Sequence, residues 1–131
     1  MSSSKHQPVV GVGLPKPIGP YSPGIIHEGL IFVSGQGATL PETGRLAGLD
    51  IETQTEQVFK NLSAILEAAG SSLQNVVRCG VFLVDMHDFS KMNAIYERMM
   101  AGNRPARTTV QVAALPIEGL RVEIDAVAYV P

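Results

Sequence analysis

Two side chains in the last quarter of the chain have the right types to handle a small charged molecule. Arg107 opens the alternating stretch RPARTTVQV, Arg104 to Val112, and Glu123 sits in RVEIDAVA. A guanidinium is planar and always charged. It can hold a carboxylate through two parallel hydrogen bonds, which fixes orientation as well as charge. A carboxylate such as Glu123 can orient or deprotonate a water. Each residue also has a plainer reading that the residues alone leave open. Arg107 can be a solvated strand end or half of a surface ion pair. Glu123 can be the partner of Arg107, Arg121 or Arg78. Tyr21 lies in IGPYSPG, a loop stiffened by Gly and Pro, and is either a loop anchor or a group carried by a binding loop.

Other chemistries find little support. His6, His27 and His87 share no metal-ligand spacing and pair with no Ser or Cys in a triad-like order. Cys79 is the one cysteine, so no internal disulfide forms, and its apolar flanks fit an inert core thiol. The GVG at Gly11–Gly13 is too short for a nucleotide fingerprint. A formal net charge of −2 counts against a mainly electrostatic nucleic-acid binder. No stretch reaches membrane-spanning length, and the N-terminus lacks the apolar run of a signal peptide. The expectation is one soluble, cytoplasmic domain over residues 1–131, with residues 1–8 as a flexible tail.

The elements that must position these side chains follow from periodicity. The stretch LPKPIGPYSPG, with four prolines, is an extended loop. IIHEGLIFVSGQ reads as a hairpin turning at His27-Glu28-Gly29. Asp50 is a helix N-cap. Behind it Val58, Phe59, Leu62, Ile65, Leu66 and Ala69 form one apolar face that ends at Gly70. Val76 to Val84 is a strand. Asp88 is expected to cap a second helix with a buried stripe of Phe89, Met92, Ile95, Tyr96, Met99 and Met100. Strands over Thr108–Leu115 and Arg121–Val130 follow. Two helices with four or five strands make an α+β fold, with the helices on one sheet face.

Side chains alternate along strands, so parity assigns faces. Val122, Ile124, Ala126 and Ala128 share the expected helix side, with Val77, Cys79, Val81 and Leu83. Val110, Val112 and Ala114 are assigned there too. That sends Arg107, Thr109 and Gln111 to the second face, with Glu123, Asp125, Val127 and Tyr129. A second face that mixes apolar groups with charges fits an oligomer interface, because monomers rarely expose large apolar patches.

In their order, IGPYSPG, IFVSGQ, VFLVDMHDFSKMNAIYERM and RPARTTVQVAALPIEGLRVEIDAVA resemble the RidA/YjgF family of reactive-intermediate deaminases, also called YjgF/YER/UK. The resemblance runs from about Ile18 to Tyr129. It implies a chorismate-mutase-like α+β domain with a mixed sheet. It also implies a homotrimer with a central β-barrel and clefts between subunits. The implied chemistry is hydrolysis of 2-enamine and 2-imino acids to 2-keto acids and ammonia, with no metal or organic cofactor. By the same resemblance Arg107 holds the substrate carboxylate and Glu123 positions the attacking water. Tyr21 closes the pocket, Ser34 and Gly35 come from the Ser-Gly-Gln segment, and Asn93 is a polar wall. Thr109 stands where many members have a cysteine. A thiol nucleophile is therefore missing there, which favours a water mechanism.

Three other functions remain compatible with the resemblance: a non-catalytic metabolite-binding trimer, a ribonuclease or translation inhibitor, and a pathway-specific aminoacrylate hydrolase. The acidic balance weighs against the second.

Overall fold

The computed structural model describes residues 5–131. One six-stranded mixed sheet carries two helices on a single face. The strands are β1 (Gln7–Pro8), β2 (Gly24–His27), β3 (Leu30–Gln36), β4 (Val76–Leu83), β5 (Ala106–Gln111) and β6 (Val122–Tyr129). The helices are α1 (Ile51–Ala68) and α2 (Phe89–Met100). The sheet order is β1-β2-β3-β6-β4-β5. Among the described residues only β4 and β5 run parallel, with α2 as their crossover. Of the expected flexible tail, residues 1–4 lie outside the described residues, and Gln7–Pro8 pair with β2. No helix among the described residues is long and apolar enough to cross a membrane.

Local chemistry explains the elements. Glu28 and Gly29 both take positive φ, 49° and 79°, as a two-residue turn between right-twisted strands requires. The Asp50 carboxylate accepts from the Thr53 N–H at 2.9 Å, capping α1. Behind that cap Val58, Phe59, Leu62, Ile65 and Leu66 are buried against Ile31, Val33, Val81, Ile124 and Ala128 of the sheet.

Asp88 does not cap α2 with its side chain. It is in a helical conformation and forms a forked pair with Arg121, at 3.0 and 3.1 Å. Asp85 caps instead, accepting from the His87 N–H at 2.9 Å to start a short 3-10 turn, Met86–Asp88, that leads into α2. Phe89, expected in the buried stripe, is 39% exposed at the start of α2.

Two face assignments change. The β4–β6 register shifts between Val76 and Arg78, so Val76 enters the core and Val77 is left 45% exposed. On β5 the parity is reversed. Arg107, Thr109 and Gln111 lie level with Cys79, Val81 and Leu83, the buried helix-side residues of β4. Val110 lies level with Phe82 on the open face. Thr108–Leu115 was the expected strand, but the strand ends at Gln111. The β6 parity holds: Val122, Ile124, Ala126 and Ala128 are buried, with Glu123, Asp125 and Val127 partly exposed opposite them.

Candidate active site

Reversing β5 separates the two residues that parity had put together. Phe82 lies level with Glu123, and Cys79 with Arg107. Phe82 and Cys79 are three residues apart on one strand and point to opposite faces. Glu123 therefore lies on the open face and Arg107 on the helix face, two strands apart, or about 10 Å across the ladder. They line two different clefts.

The first cleft, about 470 Å³, is lined by Tyr21, Ser34, Gly35 and Glu123, with Lys16, Ile18, Ile117 and Leu120 among its walls. Backbone geometry builds it. The β3–β6 pairing shifts register between Val33 and Gln36, which brings the Ser34-Gly35 backbone up to Glu123. A Cβ on Gly35 would collide with the Glu123 carboxylate, so glycine lets the carboxylate rest where it does. The Ser34 hydroxyl donates to the Ser22 carbonyl at 2.7 Å, and the Ser34 N–H donates to the Pro23 carbonyl at 2.9 Å. Ser34 thus pins the Tyr21 loop and has spent its proton there. The Tyr21 hydroxyl accepts from the Ile18 N–H at 3.2 Å, which folds the loop on itself.

Burial pushes the Glu123 carboxyl above the ordinary carboxylate range, and the negative charge of Asp125 adds to the effect. Asp125 is fixed, because its carboxylate accepts from the Gly80 N–H at 2.8 Å. Among the described residues Glu123 pairs with none of the arginines considered for it. Arg121 holds Asp88, and Arg78 donates to the Thr108 hydroxyl at 3.2 Å.

The second cleft, about 390 Å³, is lined by Asn93, Tyr96, Glu97, Asn103, Arg104 and Arg107, with Gly102 and Pro105 beside them. The Arg107 guanidinium lies over the Tyr96 and Phe89 rings and makes no ion pair among the described residues. Arg104 keeps its plain role, paired with Glu97 at 2.9 Å on the surface. Thr109 is half-buried two residues beyond Arg107 on the same side. Burial pushes the Tyr96 hydroxyl up, and neighbouring Cys79 adds to that shift. Burial likewise raises the Cys79 thiol, so it stays protonated and inert at neutral pH.

Two buried amides carry no motif yet anchor the first cleft. Gln54 donates to the Gly48 and Gly119 carbonyls at 3.0 and 2.8 Å and accepts from the Arg121 N–H at 2.7 Å. Asn61 donates to the Gly37 and Thr39 carbonyls at 3.1 and 2.8 Å. Gln54 and Asn61 are seven residues apart within the buried stripe of α1. A polar residue recurring at that spacing is the signal that marks them. Phe89, Asn93 and Tyr96, at i, i+4 and i+7 of α2, are marked in the same way as one face toward Arg107.

The chain's relatives share both its sequence and its fold. The family model described as endoribonuclease L-PSP matches residues 13–130. The human 2-iminobutanoate/2-iminopropanoate deaminase is 41% identical over 128 residues, covering 98% of this chain and 93% of that one. A solved Yersinia pestis protein of the Rid family superposes with a TM-score of 0.90 at 39% identity, over 95% of this chain and 99% of that one. The E. coli TdcF structure with bound serine superposes with a TM-score of 0.87 at 32% identity, over 94% and 98%. A match over nearly the whole chain, in sequence and in backbone alike, makes this protein a member of the RidA/YjgF family.

Proposed function

We propose that the protein hydrolyses 2-imino and 2-enamino acids to 2-keto acids and ammonia, at sites completed between subunits of a homotrimer. One observation carries this reading. The chain holds two chemically complementary half-sites, an anion-binding cleft at Arg107 and a carboxylate cleft at Glu123, on opposite faces of its own sheet. One small substrate cannot touch both within a single chain, but a neighbouring copy can bring the Glu123 cleft of one subunit to the Arg107 cleft of the next. The open sheet face supports such assembly, because Phe32, Val77, Val110 and Tyr129 stand exposed on or beside it. The unpartnered edge of β5 does so too. The names of the human deaminase and of the serine-bound TdcF structure support an amino-acid-derived ligand.

The chemistry follows from the groups available. Arg107 binds the substrate carboxylate bidentately, which fixes the imine carbon in place. Glu123, with its affinity for protons raised, takes a proton from water as the oxygen attacks that carbon. Glu123 then returns that proton to the carbinolamine nitrogen, ammonia leaves as the hydroxyl proton passes back to the Glu123 carboxylate, and the C=O of the keto acid forms. Tyr21 caps the cleft from its stiff loop. Asn93 and Thr109 border the carboxylate side, and the Gly35 backbone borders the Glu123 side.

The test is keto-acid release from a threonine dehydratase reaction with and without the protein. The expected result is acceleration that falls sharply in Arg107→Ala. Stable binding of a keto acid with no acceleration would instead make the protein a metabolite-binding member of the family.

A further inference from the structure

The Arg107 guanidinium carbon lies 4.7 Å from the Tyr96 ring centroid and 5.7 Å from the Phe89 centroid. Tyr96 is 8% exposed, and its ring meets that of wholly buried Phe59 edge to face, with centroids 5.3 Å apart and planes at 86°. The support under Arg107 therefore runs through Tyr96 into α1 and the main core. This matters because Arg107 sits on an edge strand, where a long side chain has many rotamers to lose on binding. An ion-pair partner could also fix it, but at the cost of the N–H donors that a carboxylate needs. A ring stacked on the guanidinium face restrains it and leaves the donor edges free.

We propose that Tyr96 is a positioning residue: its ring, backed by Phe59 and flanked by Phe89, presents the Arg107 guanidinium edge-on to the carboxylate of the imino acid. This rests on the imino-acid reading given above. Tyr96 touches no reacting atom. It acts through Arg107, so its effect falls on substrate capture rather than on the chemical step.

The experiment compares Tyr96→Leu, which removes the ring, with Tyr96→Phe, which keeps it. Phe89→Leu joins them as a surface change that leaves the core intact. KM and kcat are measured in the coupled dehydratase assay, and folding is checked by circular dichroism. Tyr96→Leu is expected to raise KM about 5- to 30-fold with kcat nearly unchanged, and Phe89→Leu to raise it about 2- to 3-fold. Tyr96→Phe should stay near wild type in both constants. On an Arg107→Ala background, Tyr96→Leu should cost no further factor, whereas a merely structural role would add its loss again.

A folded Tyr96→Leu with wild-type KM overturns the proposal, and so does a Tyr96→Phe as impaired as Tyr96→Leu. If Tyr96→Leu does not fold, an unchanged KM in Phe89→Leu overturns it. Wild-type kinetics in Arg107→Ala would overturn the imino-acid reading instead. Loss in Arg107→Ala without loss in Tyr96→Leu overturns only the positioning role.

Discussion

The Arg107 and Glu123 clefts are built by opposite means. The Arg107 cleft is made of side chains: a guanidinium laid on Tyr96, which is itself held by Phe59. The Glu123 cleft is made of backbone: a register shift in β3, a glycine pressed against the carboxylate, and a loop tied down through Ser34. Their electrostatics differ as well. The Arg107 guanidinium brings a delocalised positive charge and a fork of N–H donors. Glu123 is pushed by burial and by Asp125 toward the neutral range, where a base is most useful. One cleft is suited to capture and the other to proton transfer, and mutations should separate the two jobs.

The largest expected effect is in the Glu123 cleft. Glu123→Gln should lower kcat about 10²- to 10⁴-fold, the usual worth of a general base, while KM changes little. Its stability should move the other way. The folded-state pKa of Glu123 lies above its unfolded value, so ionising it costs stability as pH rises through that range. Thermal melts of Glu123→Gln should therefore sit at or above wild type at pH 7, and the gap should close on acidification. A lower Tm at neutral pH would mean that the carboxylate holds the fold together.

Arg107→Ala comes next. It should lose about 30-fold or more in kcat/KM, as when one partner of a buried charge pair is removed, and most of the loss should appear in KM. If both variants showed the same split between kcat and KM, the division of labour would be wrong.

Gly35→Ala tests whether the Glu123 cleft is truly backbone-built. Its Cβ collides with the end of the flexible Glu123 side chain, so the carboxylate should swing aside at a cost of about 1 kcal/mol or less in urea unfolding. A fall in kcat should accompany it. Wild-type activity in a folded Gly35→Ala would show that Glu123 can work from another position.

The smallest effect belongs to Asp125→Asn. Removing the like charge should move the acid limb of the kcat/KM profile to lower pH, because Glu123 then ionises more readily. An unmoved limb would assign that limb to another group.

The sequence made some of this legible and hid the rest for physical reasons. On α1, the cap at Asp50 and the stripe from Val58 to Ala69 were readable because a long amphipathic helix repeats its signal many times. On β6, parity worked because the helix face carries small or branched apolar residues and the other carries Glu123 and Asp125. On β5 it failed. An edge strand is only partly covered by α2, so its helix side tolerates Arg107, Thr109 and Gln111. Val110 meanwhile joins Phe82 on an open face that is itself partly apolar. When both faces hold apolar groups, alternation no longer tells which one is the core.

Val77 was misread for a different cause, since a register shift moves one residue out of phase and leaves no mark in composition. Arg107, Glu123, Tyr21, Gly35 and Asn93, singled out from the sequence and its family resemblance, each line one of the two clefts. Their division into two clefts was not legible, because only the register between β4 and its neighbours reveals it.

The claim most open to direct test is that one working site needs two chains. Arg107→Ala and Glu123→Gln chains should each be nearly inactive alone. Mixed in equal amounts, unfolded and refolded together, they should recover about a quarter of wild-type activity in the dehydratase assay. That is the share of subunit boundaries in a randomly mixed ring at which an intact Arg107 cleft meets an intact Glu123 cleft. No recovery, in mixtures shown to have exchanged subunits, would contradict a site shared between chains.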